Sequence, residues 1–502
     1  MIKRSSGILM PIASLPSEYG IGTLGKAAYS FVDFLYNAGQ SWWQILPVGP
    51  TSYGDSPYQS FSTFAGNPYF IDLDMLIEDG LLKKSDLQGI DWGSDDSKVD
   101  YEKIYNNRFN ILRLAVKNSK GQDDPDFIAF YNDNQRWLSE YALYMAVKEH
   151  NDMKSWCDWD DEDIRLHRPD AVERYREKLA DDIFFYEYVQ FLFYKQWDAL
   201  RIYAKSKGVG IIGDIPIYVA LDSADVWSDP REFQLDSENC PTAVAGVPPD
   251  YFSEDGQLWG NPLYNWDYMK SDGYGWWIRR IEGAKKLYDI IRIDHFRGFE
   301  SYWAVPFCEK TAKKGEWIKG PGMDFVSVLI NWFWDIQFIA EDLGILTDDV
   351  RTLLKDSTFP GMKVLEFAFD SKEASDYLPY QYDKNSVCYA GTHDNDTLLG
   401  WIKTADKADL KFAREYLNVK TDKELPMAII RVGEASNADL FVAGLWDWLE
   451  LPTNCRINTP GTLGGNWEWR LDGNLLTRKL ADEIKKITCL YGRAKVLDIE
   501  VK

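Results

Sequence analysis

Residues 8–48, ILMPIASLPSEYGIGTLGKAAYSFVDFLYNAGQSWWQILPV, predict a strand, a helix and a second strand in succession. The short apolar runs at 8–13 and 42–48 are typical of buried strands. Between them Gly39 stands where it can end a helix. The apolar residues of that helix recur at helical spacing, at Ala28, Phe31, Leu35 and Ala38. A strand, a helix and a strand in this order form the unit from which parallel sheets are built.

Six further apolar runs continue this alternation along the chain. Between the fifth and seventh predicted strands the repeat is about 25 to 28 residues. This is close to the roughly 31 residues expected when about 250 residues make eight βα units. We therefore expect an α/β protein with a (β/α)8 TIM barrel. The six further predicted strands lie at residues 209–218, 288–295, 336–341, 363–369, 387–392 and 440–445.

Two intervals between the predicted strands are too long for simple connections, and they predict insertions into a single catalytic barrel domain spanning 1–502. The first insertion, 69–205, is expected to be mainly helical because it contains NQRWLSEYALYMAVKEH (134–150) and FFYEYVQFLFYKQWDALRIYAK (184–205). The second, 219–286, is rich in Pro, Gly, Asp and aromatic residues. This composition favours a loop-rich insertion that forms a wall of the cleft.

The charge of the chain argues against nucleic acid and membrane surfaces as partners. A formal net charge of -23 repels phosphate backbones and anionic headgroups, whereas an uncharged sugar is not repelled. No stretch reaches the ~20 apolar residues that a membrane-spanning helix needs. The N-terminal sequence MIKRSSGILMPIASLP (1–16) is basic and then apolar, but Pro11 breaks the apolar run, so no signal peptide is expected. The oligomeric state is not predicted.

The six cysteines are scattered along the chain. They form no CxxC pair and no Cys/His cluster at metal-ligand spacing. This pattern predicts a reduced, cytoplasmic protein with buried thiols and without a metal or cofactor. The cysteines are Cys157, Cys240, Cys308, Cys388, Cys455 and Cys489.

Three carboxylates follow predicted strands at the end where βα barrels carry their reacting groups. An alternative is that they cap helices, since acidic residues are common N-caps and the chain has 79 acidic residues. These carboxylates are Asp294 in IIRIDHFRG (290–298), Glu341 in FIAEDLG (338–344) and Asp394 in AGTHDNDT (390–397).

The surroundings of the first two carboxylates predict different protonation states. Arg292 and Asp294 are two apart on a strand and so face the same way, and the cation favours an ionised Asp294. Glu341 follows three apolar residues, which favours a raised pKa and a protonated carboxyl. A retaining glycosidase requires one carboxyl of each kind. His295 and His393 adjoin the carboxylates and are expected to hydrogen-bond to substrate hydroxyls.

Other chemistries have weaker support in the sequence. Asp394, Asp396 and Glu341 could surround a divalent cation, but no EF-hand spacing or HExxH motif accompanies them. Nucleophilic serine catalysis lacks a GxSxG elbow, and phosphate transfer lacks a Walker loop.

Aromatic residues make up 15% of the chain and cluster in two loop regions. These regions are TSYGDSPYQSFSTFAGNP (51–68) and AGVPPDYFSEDGQLWGNPLYNW (245–266). Sugar rings bind to aromatic faces with polar groups around them. Most of these aromatics can equally pack the insertions onto the barrel. The residues expected to contact sugar are Tyr58, Tyr251, Phe252 and Trp259.

Together these stretches resemble the amylomaltase or disproportionating-enzyme family, the 4-α-glucanotransferases of the α-amylase clan. The resemblance runs from SSGILMPIASLPSEYGIGTLG (5–25) to RINTPGTLGGNWEWR (456–470). It includes GIIGDIPIYVALDSADVW, GQLWGNPLYNW, RIDHFRG, IAEDLG and GTHDNDT in the order of the family. It implies a barrel without the C-terminal β-sandwich of amylases, and residues 471–502 are too few for one.

The resemblance also implies roles for individual residues. Asp294 would be the nucleophile, Glu341 the acid/base, and Asp394 the residue that steadies the distorted donor sugar. No cofactor is implied, and the substrates would be maltooligosaccharides and other α-1,4-glucans. The residues implied or expected to bind substrate beside the aromatics are Asp214, Arg292, His295, His393 and Asn466.

Two positions depart from the family pattern. Trp446 in GLWDWLEL (444–451) stands where the family more usually has Gln, and Ile457 replaces Met. These changes put acceptor binding or local packing in doubt without touching the three carboxylates. Two rival functions stay open from the residues alone, an α-amylase-type hydrolase with the same carboxylates and a non-catalytic glucan-binding protein.

Overall fold

The computed structural model describes residues 2–249, 254–344, 346–372 and 375–494. Twelve strands lie within these ranges and are numbered in chain order. They are β1 Ser5–Leu9, β2 Trp42–Gln44, β3 Gly210–Pro216, β4 Ala243–Val247, β5 Gln257–Pro262, β6 Ile290–Asp294, β7 Ser301–Pro306, β8 Glu316–Lys319, β9 Gln337–Ala340, β10 Gly361–Val364, β11 Ser386–Tyr389 and β12 Leu440–Gly444.

Eight of the described strands close into a parallel barrel in the order β1-β12-β11-β10-β9-β6-β3-β2. Each barrel strand therefore pairs with the previous and next barrel strands along the chain, and β12 pairs with β1. The predicted (β/α)8 TIM barrel is confirmed, and each of the eight predicted strands overlaps one barrel strand. Residues such as Ile290, Ile291 and Ile293 are fully buried, as expected for parallel strands covered on both faces.

Seventeen α-helices lie in the described ranges and surround or extend the barrel. They are α1 Lys26–Asn37, α2 Leu73–Glu78, α3 Tyr101–Lys117, α4 Pro125–His150, α5 Glu162–Arg165, α6 Pro169–Lys178, α7 Ala180–Ser206, α8 Ala224–Ser228, α9 Trp266–Ser271, α10 Gly275–Leu287, α11 Gly322–Trp332, α12 Asp348–Ser357, α13 Leu398–Thr404, α14 Lys407–Leu417, α15 Leu425–Ala435, α16 Leu445–Trp448 and α17 Arg478–Leu490.

The first predicted helix ends as the sequence indicated. Helix α1 stops at Asn37, and Gly39 follows with φ +71°, a left-handed conformation that glycine adopts without a steric penalty. The N–H of Gln40 then donates to the carbonyl of Leu35 at 2.9 Å. This wrapped end turns the chain into β2 and completes the first strand-helix-strand unit.

The long connection from β2 to β3 contains α2 to α7. The two stretches predicted as helices lie inside α4 and α7, which pack against each other. Aromatic pairs join these two helices, and the rings of Phe127 and Tyr188 lie 5.2 Å apart. The α7 helix leads directly into β3 and contacts both β3 and α4.

The sequence did not predict the second sheet. Among the described residues, β5, β4, β7 and β8 form an antiparallel sheet in that order. Two of its strands fall inside the region 219–286 that was expected to be loop-rich. Their pairing is non-local, because β4 bonds to β7 some sixty residues along the chain, and their glycines and prolines hide a strand pattern in the local sequence.

The prediction of buried thiols is wrong for most of the cysteines. All six are free, but only Cys388, on β11, is buried, while Cys240 and Cys308 are exposed. The exposed pair lies in turns beside the second sheet, and a turn position carries no periodicity from which burial can be inferred. Within the described residues, no helix combines the length and apolar character needed to cross a membrane.

Arg493 joins the two ends of the chain at the N-terminal end of the barrel. Its buried guanidinium donates to the carbonyls of Ser5, Glu434 and Ala438 at 2.8 to 2.9 Å. The carboxylate of Glu434 lies 3.4 Å away and also accepts a hydrogen bond from the hydroxyl of Ser6. Arg493, three residues beyond the end of α17, therefore closes the seam where β12 meets β1.

Replacing Arg493 with Ala should lower the free energy of unfolding by about 3–5 kcal/mol, because it leaves buried carbonyls and a buried carboxylate without their partner. Arg478→Ala removes an exposed arginine from α17 and should change stability by less than about 0.5 kcal/mol. Chemical denaturation of both variants measures the difference. Equal stability of the two variants would show that the seam does not depend on Arg493.

Candidate active site

The three predicted carboxylates meet at the C-terminal end of the barrel. Asp294 ends β6, Glu341 directly follows β9, and Asp394 lies in the loop after β11. Glu341 is joined to the end of β6 because its Oε2 accepts the N–H of His295 at 2.7 Å, and its carbonyl accepts the N–H of Phe296 at 3.0 Å. Asp294 and Asp394 line the same cleft.

Arg292 forms a buried ion cluster with two carboxylates. Its Nη1 donates to both oxygens of Asp214 at 2.7 and 2.6 Å, and its Nη2 lies 2.9 Å from Oδ1 of Asp294. Asp214 is the partner of Arg292 in the β3–β6 register. As expected from their spacing on one strand, Arg292 and Asp294 face the same way. The guanidinium therefore orients the Asp294 carboxyl.

Tyr58 and His393 form a second layer beside this cluster. The Tyr58 hydroxyl donates to Asp214 at 2.7 Å and lies 2.9 Å from Nε2 of His393. Because the tyrosine proton is used on Asp214, the tyrosine oxygen accepts from the Nε2–H of His393. The two rings stack at 5.2 Å with 15° between their planes. Burial, followed by the charge of Asp214, raises the pKa of Tyr58 well above its usual value, so the phenol stays protonated.

The two central carboxyls have different pKa values. Burial raises the pKa of Glu341 to about 8, and the charge of Asp294 adds to this rise. Burial also raises the pKa of Asp294 to about 6, against the lowering effect of Arg292. Arg292 thus favours the ionised form of Asp294 as expected, but desolvation exceeds the attraction of one cation that Asp214 already shares, so the net pKa is raised. The order of the two pKa values is the predicted one.

The cleft in front of the carboxylates has a volume of about 600 Å³. Trp259, on β5, forms one side of it, and its ring meets that of His295 edge-on at 4.8 Å. Burial and the neighbouring Arg297 lower the pKa of His295 to about 3, so this imidazole is neutral. A strand therefore carries Trp259, in place of the loop expected from the sequence.

Two bulky residues in the cleft have left-handed backbone conformations. His295 has φ +56° and Trp467 has φ +64°, values that cost energy for residues other than glycine. Trp467 lies 5.9 Å from the ring of Tyr58 and 6.0 Å from that of His393. Such strain at cleft residues is typical of positions where side-chain placement outweighs local stability.

The remaining predicted binding residues differ in their outcome. Asn466 lines the cleft, but its Oδ1 accepts the N–H of Thr459 and its Nδ2 donates to the carbonyl of Thr462. Both ends of the Asn466 amide therefore form hydrogen bonds within the loop 459–466. Tyr251 and Phe252 lie outside the described residues.

Sequence reasoning missed Asn458 and Trp467. Asn458 donates from its side-chain amide to Oδ1 of Asp394 at 2.6 Å. Both residues lie in the stretch 456–470 that was singled out, yet no spacing rule distinguishes them from Asn466. Their positions depend on where the chain folds back toward the loop after β11, which is a tertiary feature.

The two departures from the family pattern are buried. Trp446 is 2% exposed and meets Trp469 edge-on at 6.1 Å, and Ile457 is also 2% exposed. Both therefore contribute to packing behind the cleft. Within the parts of the chain that the structure describes, no group of three or more His, Cys, Asp or Glu side chains could hold a metal ion.

A parallel barrel with two carboxyls of different pKa at its C-terminal end, surrounded by aromatic rings and hydrogen-bonding groups, defines a carbohydrate-processing enzyme of the (β/α)8 class. The sequence model of the 4-alpha-glucanotransferase family matches residues 10–477. The chain therefore belongs to the 4-alpha-glucanotransferase family.

Individual relatives agree with this membership. A 4-alpha-glucanotransferase of Streptococcus pneumoniae is 48% identical over 504 residues, covering 100% of both chains. One from Clostridium butyricum is 47% identical, covering 97% of this chain and 100% of the relative. The solved structure of amylomaltase from Streptococcus agalactiae in complex with acarbose is 42% identical, with a TM-score of 0.95 over 98% of this chain and 100% of that one.

The pKa order predicts a bell-shaped dependence of kcat/KM on pH. With the expected roles of an ionised Asp294 and a protonated Glu341, activity should fall as pH drops through about 6 and again as pH rises through about 8. Initial rates on maltotriose between pH 4.5 and 9.5 measure this. The first step on an α-maltosyl fluoride should lack the alkaline fall, because fluoride leaves without protonation. An alkaline fall of equal size with both donors would contradict the assignment of Glu341.

Proposed function

We propose that this chain transfers 1,4-α-glucan segments between maltooligosaccharides, with Asp294 as nucleophile and Glu341 as acid/base. The observation that carries the proposal is that Glu341, with a pKa of about 8, is hydrogen-bonded to the residue that follows Asp294, whose pKa is about 6. A retaining double displacement requires a protonated and an ionised carboxyl at the same time. At pH 7 this pair supplies both.

In the first step Glu341 protonates the glycosidic oxygen while Asp294 attacks the anomeric carbon. The bond to the leaving sugar breaks, and a β-linked glycosyl ester forms on Asp294. Arg292 orients the attacking carboxylate through its 2.9 Å contact. The leaving glucan diffuses away with the proton from Glu341, which remains as a carboxylate.

In the second step that carboxylate takes the proton of an acceptor glucan hydroxyl. The hydroxyl oxygen attacks the anomeric carbon, the ester bond breaks, and Asp294 is released as a carboxylate. The new glycosidic bond has the α configuration of the original one. For retention, the two carboxyl groups should lie about 5–5.5 Å apart. Water in place of the acceptor would give hydrolysis, so the outcome depends on how well the cleft excludes water.

We assign the donor sugar to the side of the cleft that carries Tyr58, Asp214, Arg292, His393 and Asp394. Their neutral and charged hydrogen-bonding groups suit sugar hydroxyls, and Asp394 would steady the distorted ring. The acceptor is assigned to the side of Trp259 and His295. No cofactor or metal enters this scheme. The S. agalactiae relative holds acarbose, which supports a glucan-shaped cleft here.

The domain organisation and location are part of the same proposal. One catalytic barrel would span 1–502, with a helical insertion at 69–205 and a cleft wall at 219–286. Helices α3, α4 and α7 and strands β4 and β5 support these two assignments. Six free cysteines support a reducing, cytoplasmic location.

Maltotriose as the only substrate tests the function. Transfer makes glucose and longer oligosaccharides at a constant number of reducing ends, hydrolysis increases the reducing ends, and a binding protein changes nothing. We expect transfer from the wild type and none from Asp294→Asn, since a neutral amide cannot act as the nucleophile. Asp383→Asn, an exposed residue at the opposite end of the barrel, is the matched control and should keep full activity.

An α-maltosyl fluoride separates the two carboxyl roles in the same series. Glu341→Ala should release about one equivalent of fluoride per enzyme and then stall, because the ester forms without an acid and is not discharged without a base. Asp294→Asn should release none. A burst in Asp294→Asn and none in Glu341→Ala would reverse the assignment.

Trp259→Ala should raise the ratio of hydrolysis to transfer, because the lost ring leaves the glycosyl ester open to water and weakens acceptor binding. The alternative is a packing role, in which the main effect is a loss of stability of about 3–5 kcal/mol. Melting temperature and the product ratio from maltotriose are measured together, with Trp259→Phe as the control that keeps an aromatic face. If Trp259→Ala is destabilised but keeps the wild-type ratio of hydrolysis to transfer, Trp259 does not bind the acceptor.

A further inference from the structure

The segment 456–458 is hydrogen-bonded to the loop that carries Asp394. Arg456 donates from Nη2 to the carbonyl of Asp394 and from Nε to the carbonyl of Asn458, both at 2.6 Å. The backbone N–H of Asn458 donates to the carbonyl of His393 at 3.1 Å. The side-chain amide of Asn458 donates to Oδ1 of Asp394 at 2.6 Å. Three hydrogen bonds thus connect Arg456 and Asn458 with His393 and Asp394, and a fourth joins Arg456 to Asn458 within the segment.

We propose that Asn458 and Arg456 are positioning residues for the reaction, which hold Asp394 in the orientation its donor-sugar contact requires. The inference rests on the role proposed for Asp394. The side chain of Asp394 is 45% exposed, and the residue lies beyond the end of β11, so no strand pairing holds it. The side-chain amide of Asn458 donates to Oδ1 of Asp394, while Oδ2 of Asp394 lies 3.4 Å from Nε2 of His393 in the cleft.

Arg456 supplies a constraint that a lysine cannot copy. Its planar fork bridges two backbone carbonyls, one on each segment, and so fixes the spacing between the loop after β11 and the segment 456–458. A lysine ammonium can satisfy one carbonyl well but carries no rigid fork. The segment itself is anchored, because the carbonyl of buried Ile457 accepts the N–H of Trp467 at 2.7 Å.

The amide of Asn458 must donate, and this provides a sharp test. An aspartate at position 458 would place a second carboxylate against Asp394, and it could donate only when protonated. The titratable and charged groups that face this position are Asp394, His393 and Arg456, and all three remain in every Asn458 variant. The ratio of activities of Asn458→Asp to Asn458→Ala at each pH therefore reports the new carboxyl alone.

The experiment measures kcat and KM for maltotriose from pH 5 to 8 in Asn458→Asp, Asn458→Ala and Arg456→Lys. Loss of a hydrogen bond to a charged group should lower kcat about 10- to 100-fold in Asn458→Ala, with a smaller change in KM. The ratio of Asn458→Asp to Asn458→Ala should rise as pH falls. Asn385→Asp, whose amide donates to a carbonyl at the far end of the barrel, is the control and should match the wild type.

Wild-type transfer in the same assay keeps this inference separate from the proposed function. If the wild type transfers and Asn458→Ala keeps its kcat, the positioning role is wrong. A pH-independent ratio between the Asp and Ala variants would also overturn it. Melting temperatures are recorded for all variants, and if Asn458→Asp does not fold, Asn458→Ser, which is too short to reach Asp394, decides by its kcat.

Discussion

The buried ion cluster of Arg292, Asp214 and Asp294 is the constraint on which the active site depends. The side chains of Arg292 and Asp214 are 3% and 0% exposed, and a charge so buried is stable only beside a partner. The guanidinium satisfies Asp214 with one nitrogen and Asp294 with another, so it aligns the ends of β3 and β6 in register. The orientation of the proposed nucleophile is therefore a consequence of the way the barrel buries its central cation.

Around that cluster, burial at the C-terminal end of the barrel sets the pKa values of the two central carboxyls. Desolvation raises the pKa values of Asp294 and Glu341 together, and the charge of one carboxylate makes ionisation of the other harder. The pair therefore shares one proton over the neutral range, as a double displacement requires. Tyr58 extends the network without adding charge, since its phenol is held protonated.

The parts of the cleft that lie outside the barrel depend on non-local pairing. Trp259 is placed by β5, which belongs to a sheet whose other strands come from both sides of β6 in the chain. Asp394 is steadied by a segment some sixty residues further along the chain. Because these residues lie beyond the ends of the barrel strands, their positions are decided by the second sheet and by contacts between loops. The left-handed conformations of His295 and Trp467 show that side-chain placement at the cleft works against local preference.

The sequence by itself determined the barrel, the order of its strands and the three carboxylates that follow them. Buried parallel strands are continuous apolar runs, and their C-terminal ends necessarily meet, so these features are written locally. It also determined that Arg292 and Asp294 face the same way, which follows from the alternation of side chains along a strand. Only the tertiary structure decided the raised pKa of Asp294, the second sheet, the exposure of the cysteines and the contact between Asn458 and Asp394. Each of these depends on how much water the surrounding chain excludes or on which distant segment lies alongside, and neither quantity is encoded in the spacing of nearby residues.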